Sequence, residues 1–244
     1  MSPPITSRSA LLLDIDGTIL DFASTPNAVV VPDELRHALG AIANHLGGAL
    51  AFVSGRSLSN IDSIFGAFRP PAIGAHGGEI RFADGQIHRG RPLPGFVRDL
   101  FLLLNDRFPN LLVEDKGCAV ALHYRRNMQA LPAIESSLRE YADRFNADNI
   151  AVLRGKTVLE ARYAGTDKGT AVQILAKTPP FAERDIVFGG DDTTDTDVFR
   201  VLPMIGGYGF SVGCAYDGAE HVFDNPAAVR AWLYELAQTC LDLA

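Results

Sequence analysis

Residues 9–18 read Ser9-Ala10-Leu11-Leu12-Leu13-Asp14-Ile15-Asp16-Gly17-Thr18. The run from Ala10 to Leu13 is apolar without alternation, the pattern of a short strand buried on both faces, as in a parallel sheet covered by helices. Side chains two apart on an extended segment point the same way, so Asp14 and Asp16 share one face just past the strand's carboxyl end. In open parallel sheets that edge is where ligands bind. A solvated turn would use the same residue types, because Asp and Gly are common in loops. The two readings separate on whether other strands end in comparable groups.

Working outward, Leu35, Ala38, Leu39, Ile42 and Leu46 fall at helical spacing after Pro32-Asp33-Glu34, and Gly47-Gly48 close that helix. Ala49 to Val53 is a second continuous apolar strand, followed by Ser54-Gly55-Arg56, a helix from about Ser57 to Phe65 and a strand from Ala72 to Ala75. Beyond Gly165 the same alternation resumes: a helix over Lys168 to Lys177, a strand over Ile186 to Phe188, a helix near Asp195 to Leu202, a strand near Phe210 to Val212, and a C-terminal helix from about Pro226. Alternating strands and helices predict a Rossmann-like α/β core with a parallel sheet.

Between these halves the texture changes. Glu79 to Arg89 reads as a hairpin around Asp84-Gly85, then a helix spans about Phe96 to Phe108. Leu111 to Arg125 turns at Lys116-Gly117, a helix occupies about Gln129 to Phe145, and Ile150 to Tyr163 turns at Gly155-Lys156. Hairpins and helices without crossovers predict an inserted α+β domain. The expected division is a core of residues 1–82 and 163–244 and an insert of residues 83–162.

Composition bounds the partners. The 244 residues are 47% hydrophobic and 21% charged, with a formal net charge of −7, which suits a core-forming protein and excludes a chain built to bind nucleic acid or anionic lipid. Any anion has to be drawn in locally. Cys118, Cys214 and Cys240 show no CxxC spacing, so buried reduced thiols are expected rather than disulfides or a zinc site. The apolar run that ends at Leu13 is too short for a signal peptide or a membrane span, so a cytoplasmic protein is expected.

Three more segments end strands or open helices on chemistry-bearing groups. Ser54 follows the second strand, where its hydroxyl and adjacent N–H groups could hold a phosphate oxygen or simply cap a helix. Asp167-Lys168-Gly169 puts a cation at a helix start that already favours anions. Gly189-Gly190-Asp191-Asp192-Thr193-Thr194-Asp195 follows the strand that ends at Phe188 and gathers three acids within five residues. That density is costly without a cation, and an oxygen-only donor set favours Mg²⁺. The alternative there is a polar loop with Asp195 capping a helix.

The ordered set Asp-x-Asp-Gly-Thr, Ser-Gly-Arg, Asp-Lys-Gly and Gly-Asp-Asp-x-x-Asp resembles the phosphatases of the haloacid dehalogenase superfamily from end to end. The resemblance implies Asp14 as nucleophile, Asp16 as general acid/base, and Ser54 and Lys168 as holders of the phosphoryl group. It implies Mg²⁺ bound by Asp14, the backbone carbonyl of Asp16 and Asp191, with Asp192 and Asp195 close to the metal. Gly17 and Arg56 are implied at the substrate. Crowding among the acids is expected to raise the pKa of Asp16.

Finer resemblance lies in Gly74-Ala75-His76-Gly77-Gly78-Glu79, in Val113-Glu114-Asp115-Lys116-Gly117 leading to Leu122-His123-Tyr124-Arg125, and in Arg154 to Arg162. These are similar to the trehalose 6-phosphate phosphatase family, in which the insert is a cap over the active site. The likeness implies trehalose 6-phosphate as substrate and Glu114, Lys116 and Glu160 as ligands of its sugar hydroxyls. His123 and Arg125, expected on one strand face, are implied as substrate or core contacts, and His76 and Glu79 as structural or substrate-proximal. A monomer is expected. Phosphatases of sucrose 6-phosphate or mannosyl-3-phosphoglycerate, and a non-catalytic sugar-phosphate sensor on the same fold, remain alternatives. The family usually has an acid where this chain has Thr196 and often Ala at Gly78, and loss of that acid predicts weaker Mg²⁺ binding.

Overall fold

The computed structural model describes residues 2–22, 29–155 and 157–242, so Lys156 of the third expected hairpin lies outside the described residues. In chain order come β1 (Ser9–Leu13), α1 (Asp33–His45), β2 (Leu50–Val53), α2 (Leu58–Phe65), β3 (Ala72–Gly74), β4 (Glu79–Arg81) and β5 (Ile87–Arg89). Next are α3 (Gly95–Arg107), β6 (Leu112–Asp115), β7 (Ala119–His123), α4 (Leu131–Arg139), α5 (Ala142–Ala147), β8 (Ile150–Arg154) and β9 (Val158–Tyr163). The chain ends with α6 (Lys168–Leu175), β10 (Asp185–Gly190), α7 (Thr196–Val201), β11 (Tyr208–Val212), β12 (His221–Phe223) and α8 (Pro226–Asp242). Two compact units result, Met1–His88 with Asp167–Ala244, and Arg89–Thr166.

The first unit is built on one sheet of strand order β12-β11-β10-β1-β2-β3-β4-β5. From β12 to β3 every pairing is parallel. The chain leaves β1 through β2 and β3 on one side and later fills β10, β11 and β12 on the other, so strand order reverses between β1 and β10. All residues of β1 and β2 are buried, as strands covered on both faces must be. Phe210, Phe223 and Trp232 pack edge and face together under α8, which accounts for the tryptophan as core.

Three features of this unit differ from expectation. The hairpin of residues 79–89 joins the sheet rather than opening the insert: β4 pairs antiparallel with β3, Ile73 opposite Ile80, and the Phe82 N–H donates to the Gln86 carbonyl at 2.9 Å. The first segment of this unit therefore runs on to His88. β10 continues through Gly189-Gly190, whose composition suggested a loop. A Cβ at Gly189 would lie 2.1 Å from the Phe210 ring, and one at Gly190 would lie 2.4 Å from the Asp195 carboxyl carbon. Glycine thus lets an aromatic ring and a buried carboxylate reach the strand. β12, a three-residue edge strand, carried no signal.

The second unit is an antiparallel sheet of order β6-β7-β9-β8. Val120, Leu122, Leu159 and Ala161 form its core with Val97, Leu100, Phe101 and Leu104 of α3, Ile134 and Leu138 of α4, and Phe145 of α5. By alternation the opposite face carries Ala119, Ala121, His123, Val158, Glu160 and Arg162. The single helix expected over Gln129 to Phe145 is broken into a 3₁₀ turn, α4 and α5, with Tyr141 between them at φ −102° and ψ 6°. Leu131, Ile134, Leu138 and Phe145 keep helical spacing across the break, which is why periodicity does not reveal it.

The cysteines are free, Cys118 and Cys240 buried but Cys214 exposed, so the expectation of buried thiols fails at Cys214, which sits in the turn after β11. Among the described residues no helix is long and apolar enough to cross a membrane.

Candidate active site

The carboxyl ends of β1 and β10, where strand order reverses, deliver Asp14 and Asp191 to one place. The Asp14 N–H donates to the Gly189 carbonyl at 2.9 Å, fixing the two strand ends together. Lys168 is the first residue of α6, N-capped by Asp167, which accepts the Thr170 N–H at 2.7 Å. Its ammonium donates to Asp14 Oδ1 at 2.9 Å and to Asp195 Oδ1 at 2.7 Å. The other Asp14 oxygen accepts the Thr18 hydroxyl at 3.1 Å. Asp195 Oδ2 accepts the N–H groups of Asp191 and Asp192, both at 2.9 Å, so a fully buried carboxylate ties the acidic loop to the lysine.

Burial, then the charges of Asp195 and Asp191, push the Asp14 carboxyl well above the usual carboxylate range, against the pull of Lys168. Burial would lower Lys168, but Asp14 and Asp195 outweigh it and hold the ammonium protonated, well above the usual lysine value. Asp14, Asp191 and Asp195 each offer an oxygen within 4.8 Å of the others. Three buried carboxylates against one lysine leave net negative charge in low dielectric, and their donors are all oxygen, so the set fits a hard divalent cation. Gly17 makes room for the Asp191 carboxylate: at φ +87°, its Cβ would sit 2.2 Å from it.

Asp16 and Asp192 lie outside this group. The Asp192 side chain accepts the Thr193 N–H and, with Asp195, forms a capping box at the 3₁₀ turn of Thr193–Asp195, so both the acidic-cluster and the capping expectation describe part of this loop. Crowding among the acids is felt at Asp14. Arg56, buried, grips Asp16 in a bidentate ion pair, Nε to Oδ2 at 2.5 Å and Nη2 to Oδ1 at 2.6 Å, and its remaining nitrogen donates to Asn60. Ser54 is buried at the end of β2, its hydroxyl accepting the Arg56 N–H at 3.2 Å. Asp14 and Asp16 point to different partners because Ile15 closes a tight turn, its carbonyl accepting the N–H groups of Thr18, Ile19 and Leu20.

The second unit carries its own charged group on the sheet face away from the helices. Lys116 Nζ donates to Glu160 Oε2 at 2.6 Å, with both side chains buried. Glu114 Oε2 lies 3.1 Å from His123 Nε2. Burial would raise Glu114, but the bond to His123 and the charge of Lys116 hold it below the usual glutamate value. Arg125 does not share the strand face of His123, because β7 ends at His123 and Arg125 is exposed in the following turn. A groove of about 630 Å³ between α4, α5 and β8 is lined by none of the residues expected at a site.

Residues that sequence reasoning missed include Asn60, on Arg56, and Tyr216, whose hydroxyl donates to the Asp191 carbonyl at 3.0 Å while its ring stacks on Phe199. Neither sits in a motif with chemical meaning of its own.

The profile of the family described as trehalose-phosphatase matches residues 12–226. The chain belongs to the trehalose-phosphatase family. It is 39% identical to a Sinorhizobium fredii protein named "Probable trehalose-phosphate phosphatase", over 90% of this chain and 83% of that one. It is 34% identical to the trehalose-6-phosphate phosphatase of Escherichia coli, over 99% and 91%. Among solved structures, the C-terminal domain of Candida albicans trehalose-6-phosphate phosphatase superposes with a TM-score of 0.81 over 95% of this chain and 92% of that one, at 22% identity. A Bacteroides thetaiotaomicron protein described among phosphatases of the haloalkanoate (HAD) enzyme superfamily has a similar fold, with a TM-score of 0.60 over 98% of each chain at 18% identity.

Proposed function

We propose that the chain is a Mg²⁺-dependent phosphatase that hydrolyses trehalose 6-phosphate to trehalose and inorganic phosphate through an aspartyl-phosphate on Asp14. The observation that carries this reading is the buried Asp14, held at the topological switch point by Lys168 and Thr18 beside Asp191 and Asp195. The first unit is then the catalytic core, and the second, Arg89–Thr166, is the substrate-selecting cap.

Asp14, Asp191 and Asp195 would hold the metal, with Asp195 mainly orienting the loop because its oxygens already accept three N–H groups. Bound there, Mg²⁺ supplies positive charge that lets a carboxylate approach a phosphate dianion. Lys168 shares that task, and Ser54 holds a phosphoryl oxygen. An Asp14 oxygen attacks phosphorus as the ester P–O bond breaks, and the leaving sugar oxygen takes a proton from Asp16. Asp16, now a carboxylate, removes a proton from water, whose oxygen attacks phosphorus and frees Asp14 as the second P–O bond breaks. Protonation of Asp16 removes the charge that draws Arg56 to it, so the acid step weakens that pair. Glu114, Lys116 and Glu160 together offer acceptors and a donor suited to sugar hydroxyls.

Phosphate release from trehalose 6-phosphate, sucrose 6-phosphate and mannosyl-3-phosphoglycerate, each with Mg²⁺ and with EDTA, tests the reading. Release from trehalose 6-phosphate above the others, lost with EDTA and restored by Mg²⁺, is expected. Preference for another ester overturns the substrate. Binding without release in Mg²⁺ overturns the enzyme.

A further inference from the structure

His76 and Glu79 have no role in the chemistry above, yet His76 lies in a run of left-handed backbone and Glu79 opens the strand that follows it. Ala75, His76 and Gly77 are consecutive residues with φ of 49°, 51° and 101°. A left-handed conformation at two adjacent non-glycine residues persists only where the surroundings over-determine it. Here they do so from two sides. Toward the Ser54 loop, the Ala75 N–H donates to the Arg56 carbonyl at 2.7 Å and the His76 N–H to the Ser54 carbonyl at 3.1 Å. The His76 ring lies on Gly55, where a Cβ would come 2.3 Å from Nε2. Glu79, buried, accepts the Leu58 N–H at 2.8 Å and so anchors the helix that follows Arg56. Toward α6, Gly77 packs so closely that a Cβ would sit 2.3 Å from the Asp167 carbonyl oxygen and 3.3 Å from the Ala171 Cβ.

One strained turn therefore touches the loop of Ser54 on one side and the residue before Lys168 on the other. We infer that the turn of Ala75, His76 and Gly77 is a positioning device that fixes the separation of Ser54 and Lys168, making one rigid phosphate grip of two segments far apart in sequence. The inference rests on the reading of Ser54 and Lys168 as the phosphoryl holders. It explains why the chain keeps a histidine where glycine would remove the backbone strain: the imidazole fills the space over Gly55 and stops the Ser54 loop from drifting.

His76→Gly separates positioning from folding. Glycine takes a left-handed φ without strain, so the thermal midpoint should stay near that of the unaltered protein or rise. The grip should loosen all the same. With Mg²⁺ present, turnover on p-nitrophenyl phosphate and the affinity for inorganic phosphate by calorimetry should each fall about tenfold or more, the scale of a misplaced contact at a reacting group. His76→Asn, which tolerates the same backbone and restores a side chain over Gly55, should recover part of both losses. Gly77→Ala, driven against the Asp167 carbonyl, should weaken phosphate binding as well. A His76→Gly protein that binds phosphate and turns over as well as the unaltered protein overturns the inference while leaving the proposed function intact. An unaltered protein that neither binds nor releases phosphate overturns both.

Discussion

Each unit buries a lysine against carboxylates, and the two arrangements balance charge differently. In the core, Lys168 serves Asp14 and Asp195 with Asp191 alongside, three acids to one base, and Asp14 is pushed up. In the second unit, Lys116 pairs with Glu160 and the His123 ring lies against Glu114, one hydrogen-bonding partner for each acid, and Glu114 is pulled down. A buried charge left over is costly in low dielectric and persists where a ligand will compensate it. A site in which each acid is matched by its own hydrogen-bonding partner has less demand for a cation and presents donors and acceptors in fixed positions. The contrast supports the proposed function, with the reaction at the first cluster and recognition of a polyol at the second.

The largest effect that can break this contrast is at Asp14. Asp14→Asn keeps the size of the side chain and removes the proposed nucleophile, so phosphate release should fall by about 10⁴-fold or more, as it does when a nucleophile is deleted elsewhere. Residual turnover within tenfold of the unaltered protein would remove Asp14 from the chemistry. At the matched cluster the effect should be smaller and different in kind. Lys116→Met should raise KM for trehalose 6-phosphate by about ten- to hundredfold, the worth of a charged hydrogen bond, with turnover of p-nitrophenyl phosphate unchanged. Equal losses on both substrates would mean that Lys116 holds the fold rather than the sugar.

The core cluster was far more legible in the sequence than its surroundings. Asp14, Asp191 and Lys168 could be placed because each directly follows a continuous apolar strand or opens a helix, and parallel strands deliver their ends to one edge. The Asp16–Arg56 pair could not, since it joins residues 40 apart whose directions depend on the turn at Ile15 and the loop at Ser54. Hairpin 79–89 showed its turn chemistry but not which sheet it would join, because pairing of β4 with β3 is decided by edge availability rather than by local pattern. The strand expected over Ala72 to Ala75 stops at Gly74, and Ala75 belongs instead to the strained turn that runs to Gly77. Nothing in Ala-His-Gly signals left-handed backbone until the Arg56 carbonyl and Asp167 are seen on either side of it.

A smaller effect sharpens the uncompensated side of the contrast. The family resemblance leads one to expect an acid at Thr196, whose hydroxyl donates to the Thr193 carbonyl at 2.5 Å within the acidic loop. Thr196→Glu should tighten Mg²⁺ binding by roughly two- to fivefold, the scale of one added charge near a partly solvated cation. Calorimetric titration of the protein with Mg²⁺ reads this directly, and identical isotherms would rule out an outer-sphere role for that position.

The smallest effect tests the matched side through its pH dependence. Because the fold holds Glu114 below its ordinary value of 4.5, its contribution to stability is complete above that value and is lost as pH falls through the lower folded value. Glu114→Gln should therefore be less stable than the unaltered protein near neutral pH, by well under about 1 kcal/mol because both Glu114 and His123 reach solvent, and should match it once the carboxyl is protonated. Urea unfolding of both proteins at steps from about pH 7 to about pH 3 would show the two curves converging on the acid side. Divergence there instead, with the glutamine protein the more stable at neutral pH, would mean that Glu114 carries uncompensated charge as Asp14 does. The second cluster would then be a candidate cation site rather than a sugar site.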